Sequence, residues 1–218
     1  METANRRERR SSRVPHSTRP DIMGAAHVVL RIRRGLPSLR TPRAYRVLER
    51  CFRRGKSKEG FGLVEFSVQH DHIHMIVDAM SRSRLARAMQ GLMIRIAKAL
   101  NRFWRRRVGS VFADRYFSLA LVKRTQTWRT LRYVLNNGRK HGAWSVKDQP
   151  DPYSSGRWFP RWTSREGIRR PLRRAPVERS RFIQPLTFMT IDIDDMPGPR
   201  HNESAESLES LLSADRLA

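Results

Sequence analysis

Apolar residues in this chain switch between two spacings, and the order of the switches restricts the fold more than any single motif does. Residues 26–32 carry β-branched side chains with partial alternation, the pattern of a strand. After a turn-rich connector (GLPSLRTP, residues 35–42), Ala44, Val47, Leu48, Cys51 and Phe52 recur at helical spacing to about Arg54. Thr41 can cap that helix, and Pro42 is tolerated in its first turn. Residues 61–68 and HIHMIVDA (residues 72–79) read as two strands joined by a turn at Gln69, His70 and Asp71, a hairpin. Ser83 is placed to cap a long helix whose apolar face runs through Leu85, Met89, Leu92, Met93, Ile96, Leu100 and Phe103. Residues 111–122 read as a fourth strand, and a last helix starts at Thr125 or Thr127 and runs to about Lys140. Strand, helix, strand, strand, helix, strand is the split βαβ order. The expected fold is α+β: a ferredoxin-like antiparallel sheet (βαββαβ) covered by helices, with a further C-terminal helix.

Around that domain, residues 24–142, the texture changes. Residues 1–23 are Arg-rich and polar, the composition of a basic disordered arm. Residues 143–163 form a Trp/Pro/Ser-rich extension, and residues 164–218 a basic then acidic tail expected to be partly disordered.

The formal charge of +25 is unlike that of a typical metabolic enzyme and points to a polyanionic partner. Residues 191–218 carry a net −5, which leaves about +30 on residues 1–190, most of it arginine. Arginine forks onto phosphate and stacks on bases, and counterion release would make such binding strongly salt-dependent. The bland alternative is a solvated basic face. One cysteine, Cys51, excludes an internal disulfide and fits a reducing cytosol. No run approaches 18 apolar residues and the N-terminus lacks an apolar signal core, so neither a membrane span nor export is expected.

Two sets of residues could carry chemistry. His72 and His74 sit at i and i+2, which on a strand puts both imidazoles on one face, able to chelate a cation if a third donor joins them. Two histidines on an exposed strand face, bonded to water, would look the same. Asp78 shares the face and could orient a histidine or simply end the strand. On the last helix Tyr133 and Asn137 are one turn apart: an amide oxygen for a hard metal beside a nucleophilic phenol. A buried tyrosine followed by an Asn-Gly helix stop is the competing account. Tyr45, Tyr116 and Tyr153 have no ligand-type residue one turn away.

In order, the stretches AAHVVLRIRRGLPSLRTPR, HIHMIV, RLARAMQGLMIRIAKALNR, GSVFADRYF and LRYVLNNGRKHG resemble the HUH single-strand tyrosine transposases of the insertion-sequence type. The resemblance is stronger to their REP-associated tyrosine transposase branch. It covers residues 24–142, with an echo in DPYSSGRWF. It implies His72 and His74 as metal ligands, Asn137 as the third, Mg²⁺ or Mn²⁺ as the cation, and Tyr133 as the nucleophile. The implied reaction cleaves and rejoins single-stranded or hairpin DNA by transesterification through a 5′-phosphotyrosine, in the bacterial cytoplasm at the nucleoid. Relatives include homodimers that exchange the tyrosine helix, and a monomer fits equally. A non-cleaving regulator that binds hairpin DNA and a metal nuclease that uses water are the rival functions. The turn before the first histidine departs from the family, with His70-Asp71 where Pro-Asn is common. DNA contacts are expected at Arg31, Arg33, Arg34, Trp104, Arg105, Trp128, Arg129, Arg139 and Lys140, where arginines interleave with aromatics, while Phe103 is expected in the core.

Overall fold

Each apolar period finds its element in the structure, a computed structural model that describes residues 23–163, 175–180 and 191–192. The expected basic arm, apart from Met23, and most of the expected tail lie outside these residues. In chain order the elements are β1 (Gly24–Arg31), α1 (Pro42–Gly55), β2 (Ser57–Lys58), β3 (Phe61–Val68), β4 (His72–Ala79), α2 (Arg82–Phe103), β5 (Phe117–Ala120), α3 (Arg124–Leu135) and α4 (Asn137–Lys140). The sheet order is β2-β3-β4-β1-β5, with every neighbouring pair antiparallel. β1 and β3 therefore run parallel with β4 between them, the split βαβ arrangement. The α+β expectation holds.

α1 and α2 cover one face. Val28, Leu30, Ile73, Met75 and Val77 point into it and meet Leu48, Phe52, Leu85, Met89, Leu92 and Ile96. On the other face α3 brings Leu131, Tyr133, Val134 and Leu135 against Ala25 and Ile76. The Thr41 hydroxyl caps α1 by accepting from the Ala44 amide at 3.2 Å.

Four local expectations are corrected. Ser81 rather than Ser83 caps α2: its extended backbone lets its hydroxyl accept from the Arg84 amide at 3.2 Å. Phe103 leaves the core because it lies beyond Leu100, the last buried residue of α2, and is 37% exposed. The fourth strand is short. Val111 and Phe112 bridge back to the end of β1, but Asp114 folds onto the Arg115 amide and the ladder resumes only at Phe117. The last helix breaks at Asn136, whose carbonyl accepts from both Arg139 and Lys140, so Asn137 starts a separate turn. The two-residue strand β2 at the sheet edge was not expected from the sequence.

The Trp/Pro/Ser-rich extension docks along β3. Tyr153 offers its carbonyl to the Val68 amide, the Ser155 hydroxyl accepts from the Phe66 amide, and Ser154 bridges to Ser67. This shields an edge that would otherwise expose unpaired backbone groups. A buried ion pair clamps it there. Arg40 donates to both oxygens of Asp151 at 2.7 and 3.1 Å, to the Val68 carbonyl at 2.9 Å and to the Ala143 carbonyl at 3.0 Å. Asp151 presses against Gly138, where a Cβ would come within 2.1 Å of its Oδ2. The described residues beyond 163 also pack onto the domain: Ile191 is buried in the α3 cluster, and the Ser180 hydroxyl donates to Asp78.

Candidate active site

Opposite orientation of neighbouring strands decides which side chains meet beneath α3. His74 pairs with Val29 in the ladder, so His27, two residues before Val29, lies diagonal to it on the same face. His27 Nε2 is 3.1 Å from His74 Nδ1, with the rings stacked at 5.2 Å. Burial pulls the His27 pKa down to about 4 and drives that of His74 well below the usual imidazole range, so both rings are neutral. One nitrogen of the pair must donate. If His74 is to offer a lone pair at Nε2, its proton sits on Nδ1 and is donated to His27.

His72, next on the same face, is held the same way. Its Nδ1 is 2.7 Å from Asp71 Oδ1, and that contact, more than the 3.8 Å approach of Arg31, holds the Asp71 carboxyl at a pKa of about 2. The departure at His70-Asp71 thus has a use. Asp71 grips His72, and His70 bonds to Ser38 at 3.0 Å while its carbonyl accepts from the Leu39 amide. Both rings are engaged at Nδ1, and the Nε2 of His74 is buried with no hydrogen-bond partner.

α3 places Tyr133 edge-on to His74, with ring centroids 5.3 Å apart, and 6.1 Å from His27. Lys140 Nζ stands 5.0 Å from the centre of the Tyr133 ring. The phenol is 1% exposed. Asn137 is fully buried, and neither its Oδ1 nor its Nδ2 has a partner. Buried polar atoms almost always find one, so an amide left wholly unsatisfied calls for a ligand or a functional reason.

These orphaned atoms bear on the metal expected at this site. Among the described residues no group of three or more His, Cys, Asp or Glu could hold an ion. A cation on the histidine pair therefore needs a donor of another kind, and Asn137 Oδ1 is of the right chemistry. The residues fit the expected ion.

The expected DNA-contact residues are dispersed. Arg33 and Arg129 are exposed, as is Arg105 in a left-handed turn (φ 54°) after α2; Arg34 is also exposed. Arg31 pairs with Asp71, and Trp104 packs partly against the core. Trp128 packs against the α3 cluster beneath the Arg132 guanidinium, at 5.6 Å. Arg139 donates to the carbonyls of Val146 and Gln149, which fixes the following loop. Sequence reasoning missed His27 and His141, whose ring lies 6.1 Å from His72. A histidine inside the apolar run AAHVV was the signal for the first.

Residues 24–137, a span that ends on Asn137, match the profile of the family described as "Transposase IS200 like". No curated protein matches the chain. A REP-associated tyrosine transposase, solved bound to a REP hairpin, has the same fold with a TM-score of 0.51 and 19% identity, over 65% of this chain and 82% of its own. A candidate transposase from Deinococcus radiodurans matches at a TM-score of 0.39 and 13% identity, over 62% of this chain and 99% of its own.

Proposed function

Because the chain belongs to the IS200-like transposase family, we propose that it is a DNA strand transferase of the REP-associated tyrosine type, with Tyr133 as nucleophile. One observation carries this reading: Tyr133 packs edge-on against His74, whose buried Nε2 has no partner, and Asn137, four residues on, is buried with its Oδ1 also unpartnered. A Mg²⁺ or Mn²⁺ ion held by His72, His74 and Asn137 would supply Lewis acidity at a DNA phosphate.

The protein's own groups do the rest. Asp71 and His27 are positioning residues, fixing the tautomer and tilt of His72 and His74 through their Nδ1 atoms. The Tyr133 oxygen attacks phosphorus and loses its proton; an O–P bond forms, and the bond to the 3′ oxygen breaks. The products are a 5′-phosphotyrosine and a free 3′-hydroxyl. Lys140 puts positive charge beside the phenol as it ionises. The bond exchange keeps the phosphodiester energy, so a second strand end can reverse it. The REP hairpin bound by the relative of the same fold supports a hairpin as the substrate.

Burial of Tyr133 at 1% exposure favours a second reading, a non-cleaving binder of hairpin DNA. One experiment separates them. Labelled hairpin DNA with an unpaired extension is incubated with protein and Mn²⁺, and a denaturant-resistant adduct is sought. We expect an adduct that EDTA and Tyr133→Phe each abolish. Cleavage without an adduct would assign the chemistry to water, and tight binding without cleavage would leave the regulator.

A further inference from the structure

Strand parity puts a second buried amide beside the histidines. Val68 pairs with Ile73 and both turn into the apolar core, so the residues on either side of Val68 face the other way, toward His72 and His74. Ser67 stands opposite His74. Just past the end of β3 the Gln69 amide donates to the His72 carbonyl at 2.8 Å, which sets Gln69 opposite His72. The side chain follows the same parity, since Gln69 Nε2 donates to the Ser67 hydroxyl two residues back, at 2.9 Å. Gln69 is 2% exposed, and its Oε1 has no hydrogen-bond partner.

The turn that carries Asn137 sits on the same stretch of chain. Arg40 Nη1 donates to the Val68 carbonyl at 2.9 Å and lies 3.4 Å from where a Cβ on Gly138 would stand. One guanidinium nitrogen thus joins the residue before Gln69 to the residue after Asn137, and α4 packs against β3. Gln69 Oε1, His74 Nε2 and both amide atoms of Asn137 are all buried without a hydrogen-bond partner. Buried amide oxygens are rarely left so, and here they gather on one face of the sheet. The bond to Ser67 explains how Gln69 is oriented but not why an amide is there. A methionine would fill similar space and leave no oxygen dry.

The chemistry of the donor set gives that oxygen a use. His72, His74 and Asn137 supply two imidazole nitrogens and one amide oxygen, a set that suits Ni²⁺ or Zn²⁺ as well as Mn²⁺. Mg²⁺ and Mn²⁺ favour oxygen, from carboxylates, carbonyls and water. A second amide oxygen shifts the balance toward them without adding a negative charge that would repel a DNA phosphate. We propose that Gln69 is a fourth protein donor to the cation, binding it through Oε1 alongside His72, His74 and Asn137. The assignment rests on the proposed metal site and adds a ligand to it.

The test reads the ion itself, by calorimetry of the full chain with Mn²⁺ and with Ni²⁺, and the melting temperature in EDTA. Gln69→Met keeps the length of the side chain and removes the oxygen. It should weaken Mn²⁺ binding at least about tenfold, and binding of Ni²⁺, which imidazole nitrogen suits, by less. Its melting temperature in EDTA should equal or exceed that of wild type, because the dry oxygen is gone. Gln69→Glu should bind Mn²⁺ at least about tenfold more tightly than wild type, a gain that a residue serving only to hold Ser67 would not give. Wild-type Mn²⁺ affinity in both variants would overturn the proposal and leave Gln69 bonded to a buried water. Equal losses of Mn²⁺ and Ni²⁺ in Gln69→Met, with a lower melting temperature, would also overturn it, as the mark of a structural amide. If wild type itself takes up no Mn²⁺, the metal site and this donor fall together. If the variants behave as expected but no protein forms the Tyr133 adduct, the donor stands and the strand-transfer reading falls.

Discussion

The two faces of the sheet are built to opposite rules. Under α1 and α2 the strands contribute Val28, Leu30, Ile73, Met75 and Val77, all closed off from solvent. Under α3 the same strands contribute His27, Glu65, Ser67, His72, His74 and Asp78, and the buried polar atoms include several that no neighbour satisfies. A protein keeps such a face only where its cost is offset by use. The apolar face holds the domain together, and the polar face supports the candidate chemistry.

Breaking each face in turn should therefore give different deficits. The largest expected effect on stability is on the apolar side. Met75→Ala should lose about 2–5 kcal/mol in denaturant unfolding, whereas His74→Ala, one residue away, should lose adduct formation and far less stability. A comparable loss in the two variants would break the contrast.

Next comes Glu65, whose pKa burial raises to about 8 against a Ser155 hydrogen bond that works the other way. Because the folded-state pKa lies above the ordinary 4.5, the group's contribution to stability is complete below about pH 4.5 and is lost as pH rises toward 8. Glu65→Gln should melt with wild type near pH 4.5 and become the more stable protein above it. The gap should grow by at most about 1.4 kcal/mol per pH unit until it levels near pH 8. Melting curves at several pH values check this, and a gap independent of pH would show that the face tolerates a buried charge.

A smaller effect should come from His27→Phe, which keeps a ring against His74 but removes its acceptor. Mn²⁺ affinity, read by calorimetry, should fall about 10–100-fold with little change in melting temperature. Unchanged affinity would leave His27 as packing alone. Smallest is the cap of α2: Ser81→Ala should cost about 1 kcal/mol and Ser83→Ala almost nothing.

Much of the apolar face was legible in the sequence, because repeated spacing is a local property: α1, β3 and β4 lie where the periods put them. The pair His72 and His74 was legible for the same reason, from strand parity alone. His27 was not, since its neighbour depends on the register of β1 against β4, which no local pattern encodes. Nor was the break at Asn136, whose side chain donates to the Asp192 carbonyl 56 residues away. The clamp of Arg40 on Asp151 joins residues 111 apart, and only the folded chain brings them together. Resemblance supplied roles for Tyr133 and Asn137, while the structure supplied their surroundings.

The wedge of Asp151 against Gly138 has a consequence for where the working unit ends. The span shared with the family stops at Asn137, but the carboxylate that seats the next residue comes from the extension and is anchored in turn by Arg40 from the front of α1. A chain cut at the end of the shared span would keep both histidines and the tyrosine yet leave the amide unmoored. Recognisable ancestry and mechanical completeness therefore finish at different residues, and a transplanted or minimised version of this domain must carry Asp151 with it.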